Sequence, residues 1–457
     1  MMPPDSEKTV IYLVLWIFLL AVTVFDAWRK RSDSAGLPLA YLANLTVIHW
    51  FGAMIYVLPW YEPYHPMILG IGSRGHVYLG FEQAFFGAAA FTSGVLLMRI
   101  MRKPEKTSMP RPAAVLMDMR LPKAYLATAV FFGILIAPTL TKIPSLATIS
   151  YAANSLMVSA ICIYLFHAIR AKKLSRFLFW LLISLVVIPF IILVFQGFLG
   201  FGVRIAVIIL SLVLCFYRPR WQLVLFAVIG LYLGLSLYVN YMEHRTKLRQ
   251  SIWGGKSLQS RISETANVVK DFEMLNLHNS DHLTHIDSRL NQNMLVGRGV
   301  ENIQTGAVKL AHGETFRDSF LAMIPRILWP QKPMMAGSSN LVSRFTQLFF
   351  PEGTSVGIGQ IMELYVNYGQ ACVMIGCFVL GIGIAIMDQS AKKYLMMQNW
   401  KKFVQWHLPA TGLIQVGGSL VDVSATVAAA LIFCFLINHV LLGGFRPRKR
   451  QPYLFSN

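Results

Sequence analysis

The run Thr9-Val-Ile-Tyr-Leu-Val-Leu-Trp-Ile-Phe-Leu-Leu-Ala-Val-Thr-Val-Phe-Asp-Ala-Trp28 is followed directly by Arg29-Lys30-Arg31. A helix that crosses a bilayer needs roughly 20 mainly apolar residues, and this run supplies them. A cleavable leader carries its positive charge ahead of a shorter apolar core and ends on small residues. Here the charge comes after the apolar run. It reads as a retained first span with its N-terminus outside.

Similar apolar segments recur near 38–59, 80–99, 124–141, 147–168, 177–196, 201–217, 221–242, 358–387, 403–419 and 421–443. The chain thus reads as an all-α polytopic membrane protein of about 11 transmembrane helices, with 10–12 compatible with the boundaries. The two segments between 403 and 443 are the least sharply divided. Composition agrees: of 457 residues 55% are hydrophobic and only 14% charged, against about 25% charged in a soluble chain.

The formal net charge of +20 raises nucleic-acid binding, but the placement of the charge argues against it. The Lys and Arg residues concentrate in alternate short loops, at 29–37, 99–123, 169–176, 218–220 and 388–402, and in the C-terminal tail. The intervening short loops hold little beyond Arg74 and Lys142. Positive charge on one set of loops orients a membrane protein with those loops in the cytoplasm. The C-terminus is then cytoplasmic, the N-terminus external, and residues 243–357 form one large extracytoplasmic loop. The expected organisation is 1–242 (eight spans), 243–357 (loop) and 358–457 (three spans and a basic tail).

Cys162, Cys215, Cys372, Cys377 and Cys434 all lie in apolar segments with no metal or CxxC spacing. They read as small core residues. Gly70-Ile-Gly-Ser-Arg-Gly75 fits GxGxxG but lacks the strand–turn–helix setting that dinucleotide binding needs. His278, His282 and His285 share one face if helical, a pattern that a solvated polar face explains as well as a metal does. No metal and no cofactor are expected. Ser260 to Leu295 has amphipathic helical texture, and 297–340 turns to Gly, Pro and aromatic residues in packed irregular structure.

Two blocks carry chemistry. In His312-Gly-Glu-Thr-Phe-Arg-Asp-Ser-Phe-Leu-Ala-Met-Ile-Pro-Arg-Ile-Leu-Trp-Pro-Gln-Lys-Pro333, three prolines forbid one continuous helix. They hold Arg317, Arg326 and Lys332 on a stiff frame beside Trp329. A fixed guanidinium suits two-pronged capture of phosphate oxygens. The same arginines would equally pin the loop by pairing with Glu314 and Asp318. The second block, Ser355-Val-Gly-Ile-Gly-Gln-Ile-Met-Glu-Leu-Tyr-Val-Asn-Tyr-Gly-Gln370, takes Gln360, Glu363, Tyr365, Asn367 and Tyr368 into a span. An ionisable group there is a functional hypothesis by default. Glu363 could serve as a general base or make an interhelical hydrogen bond. Arg204, at the external end of its span, either snorkels to the interface or meets an anionic headgroup. Asp422 is similarly placed at the start of the last span.

Gly313-Glu-Thr-Phe316 followed by Ile324-Pro-Arg-Ile-Leu-Trp-Pro-Gln-Lys-Pro333, together with Gly359-Gln-Ile-Met-Glu-Leu-Tyr-Val-Asn-Tyr-Gly369, resembles bacterial oligosaccharide repeat-unit polymerases of the Wzy or O-antigen-polymerase type. The motif resemblance covers roughly 285–385, and the architectural one the whole chain. It implies a helical bundle like that of lipid-linked-sugar glycosyltransferases (GT-C-like), in the bacterial inner membrane, with its site at the outer leaflet. The implied substrate is an oligosaccharide on undecaprenyl pyrophosphate, and the implied partners are a flippase and a chain-length regulator. Glu363 or His312 would deprotonate the acceptor. Arg204, Arg317 and Arg326 would hold pyrophosphate, Trp329 and Tyr365 would face the sugars, and Lys332, Arg344 and Asn367 would also bind the substrate or its pyrophosphate. A ligase acting on the same carrier and a polysaccharide flippase are the alternative readings. The family often has an even number of spans with both termini inside; the count of eleven departs from that.

Overall fold

The computed structural model describes residues 4–28, 34–62, 74–102, 118–136, 144–196, 199–216, 221–254, 257–270, 272–325, 328–333, 337–350, 354 and 356–444. Every regular element among them is helical. In chain order these are α1 (Pro4–Trp28), α2 (Leu37–Val57), α3 (Arg74–Met101), α4 (Arg120–Val130), α5 (Pro144–Arg170), α6 (Leu174–Val194), α7 (Leu199–Phe216) and α8 (Trp221–Trp253). Then come α9 (Leu258–Lys270), α10 (Ser280–Leu290), α11 (Asn293–Gln304), α12 (Glu314–Ala322), α13 (Ser338–Thr346), α14 (Gln360–Met396), α15 (Trp400–Leu413) and α16 (Leu420–Leu441).

Among the described residues, seven helices are long and apolar enough to cross a membrane: Glu7–Trp28 of α1, α2, α3, Tyr151–Arg170 of α5, α6, α14 and α16. Gly202–Phe216 of α7 is apolar but shorter. The chain therefore has the make-up of a helical membrane protein. Each expected apolar segment carries a helix, yet several differ from the hydropathy reading in extent: α3 starts at Arg74 and not near 80, and α14 runs to Met396 and not 387. α8 continues to Trp253, well past 242. α15 ends at Leu413, six residues short of the expected 419, and contains Pro409. The chain beyond it, with Gly417 and Gly418, is non-helical up to Leu420. Its backbone polar groups must then find partners outside a helix.

The centre of the bundle is the parallel pair α3 and α14. Gly94 sits against the Phe378 carbonyl and Gly381 against the Phe91 carbonyl, so closely that a Cβ at either would overlap backbone. At the other end of α3, Gly80 meets the Asn293 carbonyl of α11, and Gly297 of α11 meets the His76 carbonyl. Gly80, Gly87 and Gly94 are seven apart, a stripe of small residues that lets helix backbones approach as in lipid-embedded pairs. Around this centre Tyr41 stacks on Phe91 and Trp16 on Phe81.

An ion-pair lock closes the end of α3 and α14 that carries Arg99. Arg99 lies 3.0 Å from Asp26 of α1 and 2.8 Å from Asp388 of α14. The other Asp388 oxygen accepts the Ala35 and Leu37 N–H groups at 2.9 and 3.0 Å, capping α2. A carboxylate there complements the positive helix N-terminus.

The expected amphipathic stretch 260–295 is divided between α9, α10 and the start of α11. Asn279 caps α10 by accepting the Asp281 N–H at 2.9 Å, and the chain bends again at Asn291 and Gln292. Pro325 and Pro330 follow the end of α12, where the helix stops as their missing N–H groups require. Within α14 the chain breaks: Tyr368 has φ −146° and ψ 27°, and Gly369 has φ 72° and ψ −161°. The buried half-helix 360–367 is thereby set off from the longer apolar run that follows.

Candidate functional site

The half-helix 360–367 is clamped on two sides. On one side is the broken chain between α15 and α16. The Gln360 amide donates to the Leu413 and Gln415 carbonyls, each at 3.3 Å, and its oxygen accepts the Tyr41 hydroxyl at 2.7 Å. The Gln360 backbone N–H donates to the Val416 carbonyl at 2.9 Å. One glutamine thus satisfies much of the backbone left open where α15 stops short. Glu363 Oε2 accepts the Leu420 N–H at 2.7 Å, at the first turn of α16.

On the other side is the turn before α12. The Asn367 amide donates to the Thr315 hydroxyl and to the Glu363 carbonyl, both at 2.7 Å, and its oxygen accepts the Gly313 N–H at 3.0 Å. The Ala311 N–H donates to the Val366 carbonyl at 2.8 Å. This turn requires Gly313 at φ 87°, a left-handed conformation in which glycine has no Cβ penalty. His312, at φ 46°, shares the strained turn. Ser424 of α16 donates to the Ser319 carbonyl of α12 at 2.7 Å, joining the two walls.

Glu363 is fully buried. The Thr315 side chain lies against it, but Oε1 receives no hydrogen bond of good geometry among the described residues. Asp422 and Asp318 are its acidic neighbours. Asp422 is exposed and accepts the Ser419 hydroxyl at 2.7 Å. Nearby, Arg204 donates to Gln415 Oε1 at 3.3 Å. Tyr151 is close enough to feel both Arg204 and Asp422. The cluster brings together carboxylates, hydroxyls and a guanidinium, the groups used for proton transfer and for holding an oxyanion.

The sequence candidates divide into three groups. Glu363, Tyr365 and Asn367 are buried together in the half-helix, and Arg204 borders them through Gln415. His312 is exposed, its ring 6.1 Å from that of Tyr368. Arg317 pairs with Asp318 at 3.2 Å and is 71% exposed, while Arg344 pairs with Glu314 at 2.9 Å over the Phe345 ring. Lys332 donates to the Ala322 and Ile324 carbonyls at 3.0 and 2.9 Å, closing the turn after α12, and Trp329 is half-buried there. Arg326 lies outside the described residues, as does most of the GxGxxG stretch.

The three histidines at 278, 282 and 285 do not share one helix face. His278 precedes α10 and stacks on Trp60, whereas His282 Nδ1 accepts the Asn276 N–H at 3.1 Å. Thr315, Tyr151 and Gln415 were not singled out in the sequence. Thr315 lies within the quoted Gly-Glu-Thr-Phe motif, but single polar residues at Tyr151 and Gln415 give no pattern of their own.

The bundle and this buried polar cluster define a helical protein of membrane composition with one built site at a helix break. Residues 81–396 match the model of a family described as a domain of unknown function (DUF8712), and the chain belongs to that family. No curated protein and no solved structure matches it.

Proposed function

We propose that this protein is an inner-membrane glycosyltransferase that polymerises undecaprenyl-pyrophosphate-linked oligosaccharide units into a surface polysaccharide such as O-antigen, capsule or exopolysaccharide. One observation carries this reading. The two motif blocks behind the resemblance are bonded to each other across 54 and 52 residues of sequence: Gly313 and Thr315 of the first hold Asn367 of the second, beside Glu363. A motif that served only to turn a loop would not need the second one.

In this reading the chain crosses the membrane about eleven times, its C-terminus is cytoplasmic, and 243–357 faces outward. The parallel course of α3 and α14 and the alternate placement of Lys and Arg support that orientation. The acceptor hydroxyl of the incoming unit attacks the anomeric carbon of the growing chain. The bond to pyrophosphate breaks, and the proton passes to a protein base. Arg204, Arg317 and Arg326, together with Lys332 and Arg344, stabilise the leaving pyrophosphate without a metal. Glu363 Oε1, against the Thr315 side chain, would receive the proton but is buried, so a substrate must part the α12 and α16 walls to reach it. His312 is the exposed alternative.

Deleting the gene and resolving the surface polysaccharide on a gel tests the proposal. Loss of long chains, with single repeat units left on the lipid carrier, supports it. Long chains that persist on lipid but fail to reach their final acceptor make the protein a ligase. Loss of lipid-linked units from the outer leaflet makes it a flippase. Arg326→Ala is expected to abolish chain growth at unchanged membrane abundance.

A further inference from the structure

A second cationic cluster lies away from the Glu363 site, where α8 leaves its apolar stretch. On α8, Ile229, Leu233 and Leu237, four residues apart and so on one side of the helix, are exposed. This is an unbroken apolar flank with the character of a lipid-facing surface. Arg245 and Arg249 follow on the same helix, about 12 and 18 Å further along it at 1.5 Å per residue. That distance spans the depth of a headgroup layer beyond the hydrocarbon. Tyr238 and Tyr241 sit between, as aromatic residues do at a membrane–water boundary.

Arg289, in the last turn of α10, completes the cluster. Arg245 and Arg289 both act on Tyr238, and Tyr241 bonds to the Arg249 side chain. All three arginines are half-buried. Tyr241, buried against Leu193 of α6 and Leu248, fixes the floor. Burial, and then the neighbouring Arg245, push the Arg249 guanidinium down to about 10 and also lower Arg289. Three like charges are thus held within reach of one another, from two helices, at the edge of an apolar flank. Guanidiniums bind phosphate oxygens in pairs, and this arrangement offers such pairs to one phosphate.

We infer that Arg245, Arg249 and Arg289, with the Tyr238 and Tyr241 hydroxyls, form a binding site for the phosphate of an anionic bilayer phospholipid. The continuous apolar flank beneath it selects a membrane lipid, whose acyl chains would lie along Leu233 and Leu237. This inference does not depend on the polymerase reading.

The full chain in a non-ionic detergent is titrated with phosphatidylglycerol or zwitterionic phosphatidylcholine, and bound lipid is counted by native mass spectrometry. The wild type is expected to prefer phosphatidylglycerol. Replacing all three arginines by Gln should weaken that binding roughly tenfold or more, since a hydrogen bond to a charged group is worth at least that factor. Lys247→Gln, Lys270→Gln and Lys309→Gln together remove the same charge from exposed positions and should leave it unchanged. Arg289→Lys keeps the charge and loses the fork, so it reports on the site even if the triple variant aggregates; its binding should weaken. Equal binding of the two lipids, an equal loss in the lysine control, or unaltered binding by Arg289→Lys overturns the site. So does complete displacement of phosphatidylglycerol by an equal amount of a polyprenyl pyrophosphate, which would make the cluster part of a substrate path.

Discussion

Asp388 and Glu363 are both fully buried carboxylates on α14, roughly 35 Å apart along it, and both cap another helix. Asp388 receives two N–H groups at the start of α2, and Glu363 receives one at the start of α16. The difference lies in what else each carboxylate touches. Asp388 is joined to Arg99, which Asp26 also holds. Both Asp388 oxygens are thus taken, one by backbone N–H groups and the other by Arg99. Glu363 has the cap on one oxygen and no good hydrogen bond on the other among the described residues. A buried polar atom left this way is costly and persists where it serves a ligand or a reaction. The same device, a carboxylate on a helix start, is a lock at one end and a receptive group at the other.

The largest effect should come from breaking the lock. Asp388→Ala leaves the Arg99 guanidinium, 11% exposed, with Asp26 as its remaining carboxylate partner, and uncaps α2. Removing one partner of a buried ion pair costs about 3–5 kcal/mol. We expect loss of the monodisperse protein peak or a large drop in melting temperature in detergent. An unchanged melting curve would place Arg99 in water and reduce the lock to a surface pair.

Gly297→Val comes next. Its Cβ would overlap the His76 carbonyl, forcing α11 away from α3. Overpacking of this kind costs typically 1–3 kcal/mol. Gly383→Val, at a helical position with open space around it, is the control and should leave melting unaltered. If both behave alike, the glycine crossing does not hold the α3–α11 pair together.

Much of the bundle was legible in hydropathy, because an apolar run of about 20 residues has few other uses. The ends of the runs were less so. α15 stops at Leu413 because the next backbone groups are satisfied by Gln360, a partner more than fifty residues away that no local pattern announces. The break at Tyr368 and Gly369 was hidden for the same reason: Tyr-Gly in an apolar helix is unremarkable until Asn367 is seen to bond back to Gly313 and Thr315. At the site, Glu363 and Asn367 could be read from the cost of polar groups in a span. That Glu363 caps α16 could not, since Leu420 offers only its backbone. Of the expected pairings of Arg317 and Arg326 with Glu314 and Asp318, Arg317–Asp318 is present but joins adjacent residues, while Glu314 pairs with Arg344, a partner the sequence reading did not propose.

Glu363→Gln sharpens the contrast from the other side. Glutamine keeps the oxygen that accepts the Leu420 N–H and fills the same volume, so stability should change by less than about 1 kcal/mol. If Glu363 is the base, chain growth should fall by about a hundredfold or more, the range for losing a general base. Both readouts are needed, on the same purified protein. Wild-type chain growth would leave Glu363 as a cap and shift the proton transfer to His312. A large loss of stability with it would make Glu363 a lock like Asp388.

The smallest structural effect is expected at Arg317, and it separates two uses of arginine in one chain. Arg99 is buried between two carboxylates from different helices, while Arg317 is exposed and pairs with its own neighbour, Asp318. An exposed pair of that kind contributes about 0–1 kcal/mol, and adjacent residues on one helix gain no tertiary tie from it. Arg317→Gln should therefore leave melting within about 0.5 kcal/mol of wild type. A residue whose removal costs the fold nothing has its side chain available for a ligand, so the polymerase reading expects chain growth to fall while the protein stays fully abundant. Arg317→Lys should restore part of it, since the charge returns without the two-pronged fork. Unchanged chain length in both variants would confine Arg317 to the solvated rim, leaving Arg204 and Arg326 as the arginines proposed to face pyrophosphate.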